Sequence, residues 1–327
     1  DPSYPDQATI GGILATGDAG SWRHRYGGAR DQVIGVTVVR HDGQLAKAGG
    51  KVVKNVAGYD LMKLFTGSYG SLGAIAEVTL RTYPVAESAE TVVLTGAPAA
   101  IATAVSQLRA SILTPTRADW CSAGLIQAVL PADGQRATTD HALVAQFCSQ
   151  PRSVADQRDR LIALGEPLGL TVQVLTAAAA TELWPTLQAH LDRGTQLDST
   201  STTPAVSAET LLVKVGIQPT AMATLWTAIA DTLPHGLALV QGRLHIGSGI
   251  GRLRFPATGI TSHRLQTLRA VCTDHQGYLV VLEAPLALKQ QVDVWGDPGT
   301  ALGLMQRLKA QFDPQSRLSP GRFVGGL

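Results

Sequence analysis

Before residue 90 the hydrophobic positions come in short bursts separated by glycines. Residues 33–40 (VIGVTVVR) are apolar and β-branched, His41-Asp42-Gly43-Gln44 carries an Asp-Gly turn signal, and residues 45–48 resume the apolar pattern. That combination predicts a β-hairpin. Residues 60–66 (DLMKLFT) place Leu61, Leu64 and Phe65 on one helical face, with Asp60 at the start and Gly67 at the stop. Residues 74–83 alternate apolar and polar side chains and predict a strand that Pro84 ends.

From residue 90 the period switches repeatedly between two and 3.6. Strands are expected at 91–95, 142–147, 170–175, 210–216, 237–241, 253–255 and 278–283. Helices are expected at 98–108, 154–164, 181–191, 220–233, 263–275 and 300–312. This alternation predicts an α+β fold of split βαβ type. Residues 192–204 are polar and turn-rich and predict a surface loop.

The chain has 327 residues, enough for two domains with cores. Aromatic residues are 5%, so aliphatic side chains and alanine must fill those cores. Charged residues are only 16%, against about a quarter in ordinary soluble chains, which fits a surface partly covered by a partner as well as a simple alanine- and glycine-rich composition. The net charge is +2 with no basic run, which gives nucleic-acid binding no electrostatic support. Cys121, Cys148 and Cys272 lie far apart, so no iron–sulfur cluster, structural zinc or disulfide framework is expected, and a reducing, cytoplasmic setting fits. No apolar run reaches the ~18–20 residues of a membrane span, and no signal-peptide pattern opens the chain. The opening Asp1-Pro2-Ser3-Tyr4 reads as starting inside a domain.

Three glycine-rich segments carry candidate chemistry. In residues 9–17 (TIGGILATG) adjacent glycines let main-chain N–H groups approach an anion, and a threonine hydroxyl can donate to phosphate; a tight turn before a short helix is the alternative. Residues 49–73 are not a phosphate-binding P-loop, because Val52 stands where a magnesium-binding Ser or Thr is needed. Within them, residues 67–73 (GSYGSLG) form either a surface for a flat ring or a plain connector. Residues 245–252 (HIGSGIGR) lack the dinucleotide fingerprint and run into a strand, so a Rossmann site is excluded. There His245 can shuttle a proton and Arg252 can grip a carboxylate; the alternative is a glycine hairpin turn with both side chains solvated.

Taken in order, ATIGGILAT, SWRHRYGGARDQVIGVTVVRHDG, GGKVVKNVAGYDLMKLFTGSYGSLGAIAEVTLRTYP and the ending VWGD, LKAQFDP and LSPGR resemble the FAD-linked oxidase family of vanillyl-alcohol-oxidase type, in its branch of glycolate oxidase (glycolate dehydrogenase) flavin subunits. The resemblance is strong over residues 5–87 and 240–323 and weak between them. It implies a PCMH-type FAD-binding domain, N-terminally incomplete, over residues 1–87. A ferredoxin-like α+β cap domain follows over 88–327, its 286–327 tail packing back on the flavin domain. It implies Thr9, Gly11, Gly12, Ala15 and Thr16 on the pyrophosphate and flavin side, Gly58 and Asp60 near the cofactor, and Gly70, Gly73 and Ile75 on the adenine side, with the Ile75 backbone pairing the ring. The family's earlier glycine-rich loop would precede Asp1, so weak FAD binding is expected of this chain by itself.

No match to a flavin-linking residue is found, so the FAD is expected to be non-covalent, and no metal site is expected around His245. The function implied is oxidation of glycolate or a similar 2-hydroxy acid, with His245 and Arg252 at the substrate. Electrons would leave to an iron–sulfur subunit beside a second flavin subunit, in the cytoplasm or at the inner membrane through those partners. A non-catalytic subunit and a stand-alone D-lactate or other 2-hydroxy-acid dehydrogenase are the competing readings.

Overall fold

The expected hairpin forms: β1 (Val33–Val39) pairs antiparallel with β2 (Leu45–Gly49), Val39 opposite Leu45. The structure, a computed structural model, describes residues 2–52, 58–130, 139–193, 210–233 and 240–327. The described residues divide into two units, Asp1–Val85 with Asp297–Leu327, and Ala86–Gly296.

In the first unit, α1 (Ile10–Thr16), α2 (Arg23–Tyr26) and α3 (Ala29–Gln32) precede the hairpin, and α4 (Leu61–Phe65) and β3 (Ala74–Leu80) follow it. The sheet order is β2-β1-β3. Its core is Leu14, Val33, Val36, Val38, Met62, Phe65 and Leu72. The strand expected to run to residue 83 ends earlier, where the Arg81 N–H turns to the Gln32 carbonyl at 2.9 Å. Most of the KNVAGYD segment lies outside the described residues.

The second unit is built on an eight-stranded antiparallel sheet. Its strands are β4 (Ser88–Gly96), β5 (Arg117–Cys121), β6 (His141–Ser149), β7 (Thr171–Leu175), β8 (Thr210–Gly216), β9 (Gln241–His245), β10 (Ile250–Pro256) and β11 (Tyr278–Glu283). Its helices are α5 (Pro98–Ala110), α6 (Ala123–Val129), α7 (Pro151–Gly165), α8 (Ala177–Arg193), α9 (Met222–Thr232), α10 (Ser262–Asp274) and the short α11 (Leu286–Lys289). The order β11-β8-β10-β9-β5-β6-β4-β7 splits into two halves. Each half follows strand–helix–strand–strand–helix–strand, with α6 added between the second and third strands of the first half, and has its fourth strand outermost beside its first, the ferredoxin-like arrangement. The halves join through their second strands, β5 and β9, with Asp119 opposite His245, Trp120 opposite Leu244 and Cys121 opposite Arg243. Ser122 stitches this seam: its hydroxyl donates to the Val240 carbonyl at 2.6 Å and accepts from the Gly242 N–H at 2.9 Å.

One face of the sheet buries the large core under α5, α7, α9 and α10. There the Trp120 indole donates to His141 Nδ1 at 2.9 Å, and burial pushes the His141 imidazole down to about 4, so the ring stays neutral. A smaller core under α6 and α8 covers part of the other face. β5, α6 and the short α11 were not expected from the sequence. The strand expected at 237–241 proves to be β9, four residues later at each end, with residues 237–239 outside the described set. The loop expected at 192–204 begins as the last turn of α8, and its residues 194–204 are not described.

The chain closes with α12 (Leu302–Phe312), back in the first unit, where Phe312 meets Phe65 edge-on with ring centroids 5.7 Å apart.

Candidate functional site

In the first unit the residues expected at a cofactor present main chain. Thr9 caps α1, its Oγ1 accepting from the Gly12 N–H at 3.0 Å, and Gly17 closes the helix in the left-handed region. The 67–73 turn docks on that helix end: the Gly67 and Tyr69 N–H groups donate to the Leu14 and Ala15 carbonyls, each at 2.8 Å. A Cβ on Gly11 would lie 3.6 Å from the Ile75 carbonyl, and one on Gly70 3.1 Å from Ser319 Oγ. The stretches around Gly11, Ala15, Gly70 and Ile75 therefore adjoin, with main chain where side chains would otherwise stand. The nearby hydroxyls are engaged within their own turns: Thr16 donates to the Gly12 carbonyl at 2.8 Å, Ser68 to Phe65 and Ser71 to Ser68. What this surface offers a ligand is N–H and C=O groups and the Thr9 hydroxyl, the donor set that suits a pyrophosphate and a flat ring.

A buried clip holds the turn. The Lys309 ammonium donates to the Ser71 carbonyl at 2.9 Å, the Leu318 carbonyl at 2.7 Å and Asp313 Oδ2 at 2.6 Å. Burial by itself would raise the Asp313 carboxyl; the Lys309 bond and the Arg317 and Leu318 N–H groups outweigh it and hold the group at about 2. Tyr69, held at φ 54°, stacks on Phe323. Gly73 is buried, and a Cβ there would press on Phe65 at 3.1 Å and Val39 at 3.3 Å. Gly58 takes φ 85° with open space around it, and Asp60 is exposed, pairing with Lys63 at 3.6 Å without capping α4.

In the second unit β5, β9 and β10 each alternate charged and apolar residues. The apolar set enters the large core, and the charged set lies on the face that α8 crosses. His245 is 4% exposed, not solvated, and its Nδ1 meets Asp119 Oδ1 at 2.7 Å. Asp119 is 0% exposed, and its Oδ2 lies 3.7 Å from Arg243 Nε. Arg243 donates to Gln188, which donates to both oxygens of Asp192 at 2.9 Å; Arg252 reaches the same carboxylate at 3.2 Å. Arg254 donates to the Leu191 and Asp192 carbonyls that end α8 and to Glu283, each at 2.8 Å.

Arg252 stands directly opposite Arg243 on one side and Lys214 on the other. Such a row of like charges is unfavourable unless anions interleave it. The structure thus brings His245 and Arg252 onto one face of adjacent strands and adds Asp119, Arg243, Gln188, Asp192 and Lys214, which the sequence reading did not single out. The period-two alternation in RADWC and QGRLH is the signal that carried Asp119 and Arg243; Gln188 and Asp192 come from α8 and Lys214 from β8.

Residues 1–49 match the family described as FAD binding domain. Over 83 residues the chain is 45% identical to glycolate oxidase subunit GlcE of Escherichia coli (strain K12), covering 25% of this chain and 24% of that protein. It is 43% identical over 91 residues to glycolate oxidase subunit GlcD of Bacillus subtilis (strain 168), covering 28% and 19%. It is 36% identical over 146 residues to the mitochondrial D-lactate dehydrogenase [cytochrome] of Arabidopsis thaliana, covering 43% and 25%. The matched segments thus span a quarter or less of these relatives. Among solved structures, alkyldihydroxyacetonephosphate synthase superposes with a TM-score of 0.65 at 16% identity, covering 94% of this chain and 57% of that one, which shows a shared fold. The family match covers Thr9, Gly11, Gly12, Ala15 and Thr16 of the main-chain surface, so residues 1–49 are similar to an FAD-binding domain and FAD is the cofactor this supports; Gly70 and Ile75 lie beyond the matched residues.

Proposed function

We propose that the chain is a flavin subunit that oxidises glycolate, or a close 2-hydroxy acid, to the 2-oxo acid. The observation that carries this reading is the sheet face of the second unit. There an imidazole with one nitrogen engaged by Asp119 shares the surface with the row Arg243, Arg252 and Lys214. The named relatives act on 2-hydroxy acids: glycolate, D-lactate and, in a further relative from Xanthomonas citri, D-2-hydroxyglutarate. Thr9, Gly11, Gly12, Ala15, Gly70 and Ile75 hold the FAD, with Thr16, Gly58, Asp60 and Gly73 shaping the elements around it.

Oxidation removes the hydroxyl proton and a hydride from the α-carbon of the acid. Bound FAD supplies the acceptor for that hydride. His245 takes the hydroxyl proton at Nε2, the nitrogen that Asp119 leaves open. Arg252, with 15% of its side chain exposed and paired with Asp192, holds the substrate carboxylate. The relatives named as glycolate oxidase subunits support an assembly with a second flavin subunit, from which electrons leave through an iron–sulfur partner.

One observation favours the competing reading of a non-catalytic subunit: Arg243, Arg252 and Arg254 each already have an acceptor inside the unit. Anaerobic mixing of the flavin-loaded assembly, purified from its own cells, with glycolate or D-lactate separates the two. The reading expects the flavin of this subunit to bleach, and His245→Ala to slow bleaching by ~100-fold. Bleaching at the wild-type rate in His245→Ala removes the base, and no bleaching of this flavin with either acid removes the enzyme.

A further inference from the structure

We propose that Asp119 is the positioning residue for His245: its carboxylate fixes the imidazole with the proton on Nδ1, so that Nε2 carries the lone pair. This inference rests on the reading of His245 as the base. The two residues face each other across the β5–β9 seam, 126 positions apart in sequence, with Nδ1 and Oδ1 2.7 Å apart. A carboxylate can only accept, so the imidazole nitrogen it touches must be the N–H donor.

Charged neighbours favour the ionised carboxylate. Arg243 Nε lies 3.7 Å from its second oxygen, and Arg117, two residues along β5, senses the same charge. The remaining titratable neighbour on β5 is Cys121, whose thiol burial keeps protonated. From α8, Gln188 and Asp192 engage Arg243 and Arg252 and leave His245 to Asp119. The ring is 4% exposed on a sheet seam locked by Ser122, so its orientation is set by packing, and the proton location by the aspartate. The position at the junction of the two ferredoxin-like halves explains why neither half contains the pair: β5 brings the acid and β9 the base. When the substrate proton arrives at Nε2, the imidazolium formed faces an anion already in place.

The test is nitrogen NMR of the FAD-loaded protein with labelled histidine, the His245 resonances assigned by their loss in His245→Ala. The expected spectrum of the neutral ring without substrate shows Nδ1 protonated and Nε2 bare. An Nε2–H tautomer in the wild type overturns the proposal. Asp119→Asn keeps the volume. It is expected to lose the single Nδ1–H state and to slow flavin bleaching by ~100-fold while retaining bound FAD. Asp119→Asn with an unchanged tautomer and an unchanged rate overturns it as well. If His245→Ala bleaches at the wild-type rate, the base assignment falls by itself, whereas the substrate-free tautomer still reports on Asp119.

Discussion

In the first unit the candidate surface is main chain, held in place by a buried lysine clip whose atoms stay behind the turn they support. In the second it is a dense set of side chains in which each charge is placed by another. The difference is one of failure modes. A surface of N–H and C=O groups is damaged by adding atoms, because a Cβ fills the space a ligand needs. A buried ionic face is damaged by removing them, because each deletion leaves a partner desolvated and unpaired.

The sharpest way to break that comparison is Arg254. Its guanidinium satisfies the Leu191 and Asp192 carbonyls at the end of α8 and neutralises Glu283, at 5% exposure. Arg254→Met keeps much of the packing and strands four acceptors, the Thr210 hydroxyl being the fourth. Denaturant unfolding followed by tryptophan fluorescence, with Trp120, Trp184 and Trp226 all buried in this unit, should show a loss of roughly 3–5 kcal/mol. A loss below about 1 kcal/mol means that the face is not held by its charges.

Acid separates the two units next. Burial holds the His141 imidazole down at about 4 in the fold, against an ordinary value of 6.5. A depressed histidine contributes stability that is complete above about pH 6.5 and drains away as pH falls toward 4, about 3 kcal/mol in all. Asp313, at about 2 against an ordinary 3.8, contributes about 2 kcal/mol that persists until pH drops below 4 and is lost toward 2. Calorimetry near pH 7, 5 and 3 should therefore show the second unit's transition falling first, with His141→Gln flattening that early fall. If both units weaken together only below pH 4, His141 is not the group responsible.

The same contrast governs what could be read in advance. The hairpin, β3 and the cradle are contiguous in sequence: glycines mark the main-chain surface directly, and TIGG, GSYGSLG and the Asp-Gly turn each lie within one short segment. The ionic face is assembled from β5, β8, β9, β10 and α8, so only its two residues inside a glycine-rich segment, His245 and Arg252, stood out. Asp119 went unnoticed because a charge flanked by Ala118 and Trp120 reads as solvated, although burial on both faces of a covered sheet reverses that expectation. At Gly73 the structure adds a packing reason for glycine that the sequence did not reveal, since a Cβ there would press on Phe65. The hydroxyls of Thr16, Ser68 and Ser71 were legible as residues but not as bonds, since local geometry turns them onto their own carbonyls.

The smallest effect gives the finest test of the main-chain surface, because it needs a change that adds one carbon. Gly70 takes φ 75° and would bring its Cβ to 3.1 Å from Ser319 Oγ, whereas Gly43, at φ 80° in the hairpin turn, has open space around it. Alanine at either position carries the same left-handed penalty, about 1 kcal/mol. Only at Gly70 does the added carbon stand on the surface assigned to the cofactor. Flavin-fluorescence titration should thus show FAD affinity falling five- to tenfold (about 1 kcal/mol) in Gly70→Ala and staying level in Gly43→Ala, while both lower the melting of the first unit, Gly70→Ala the more because its Cβ also crowds Ser319. Equal FAD affinities in the two variants would mean that backbone strain, and not the bareness of the main chain, is all that glycine contributes there, and the contrast between the two units would lose its first half.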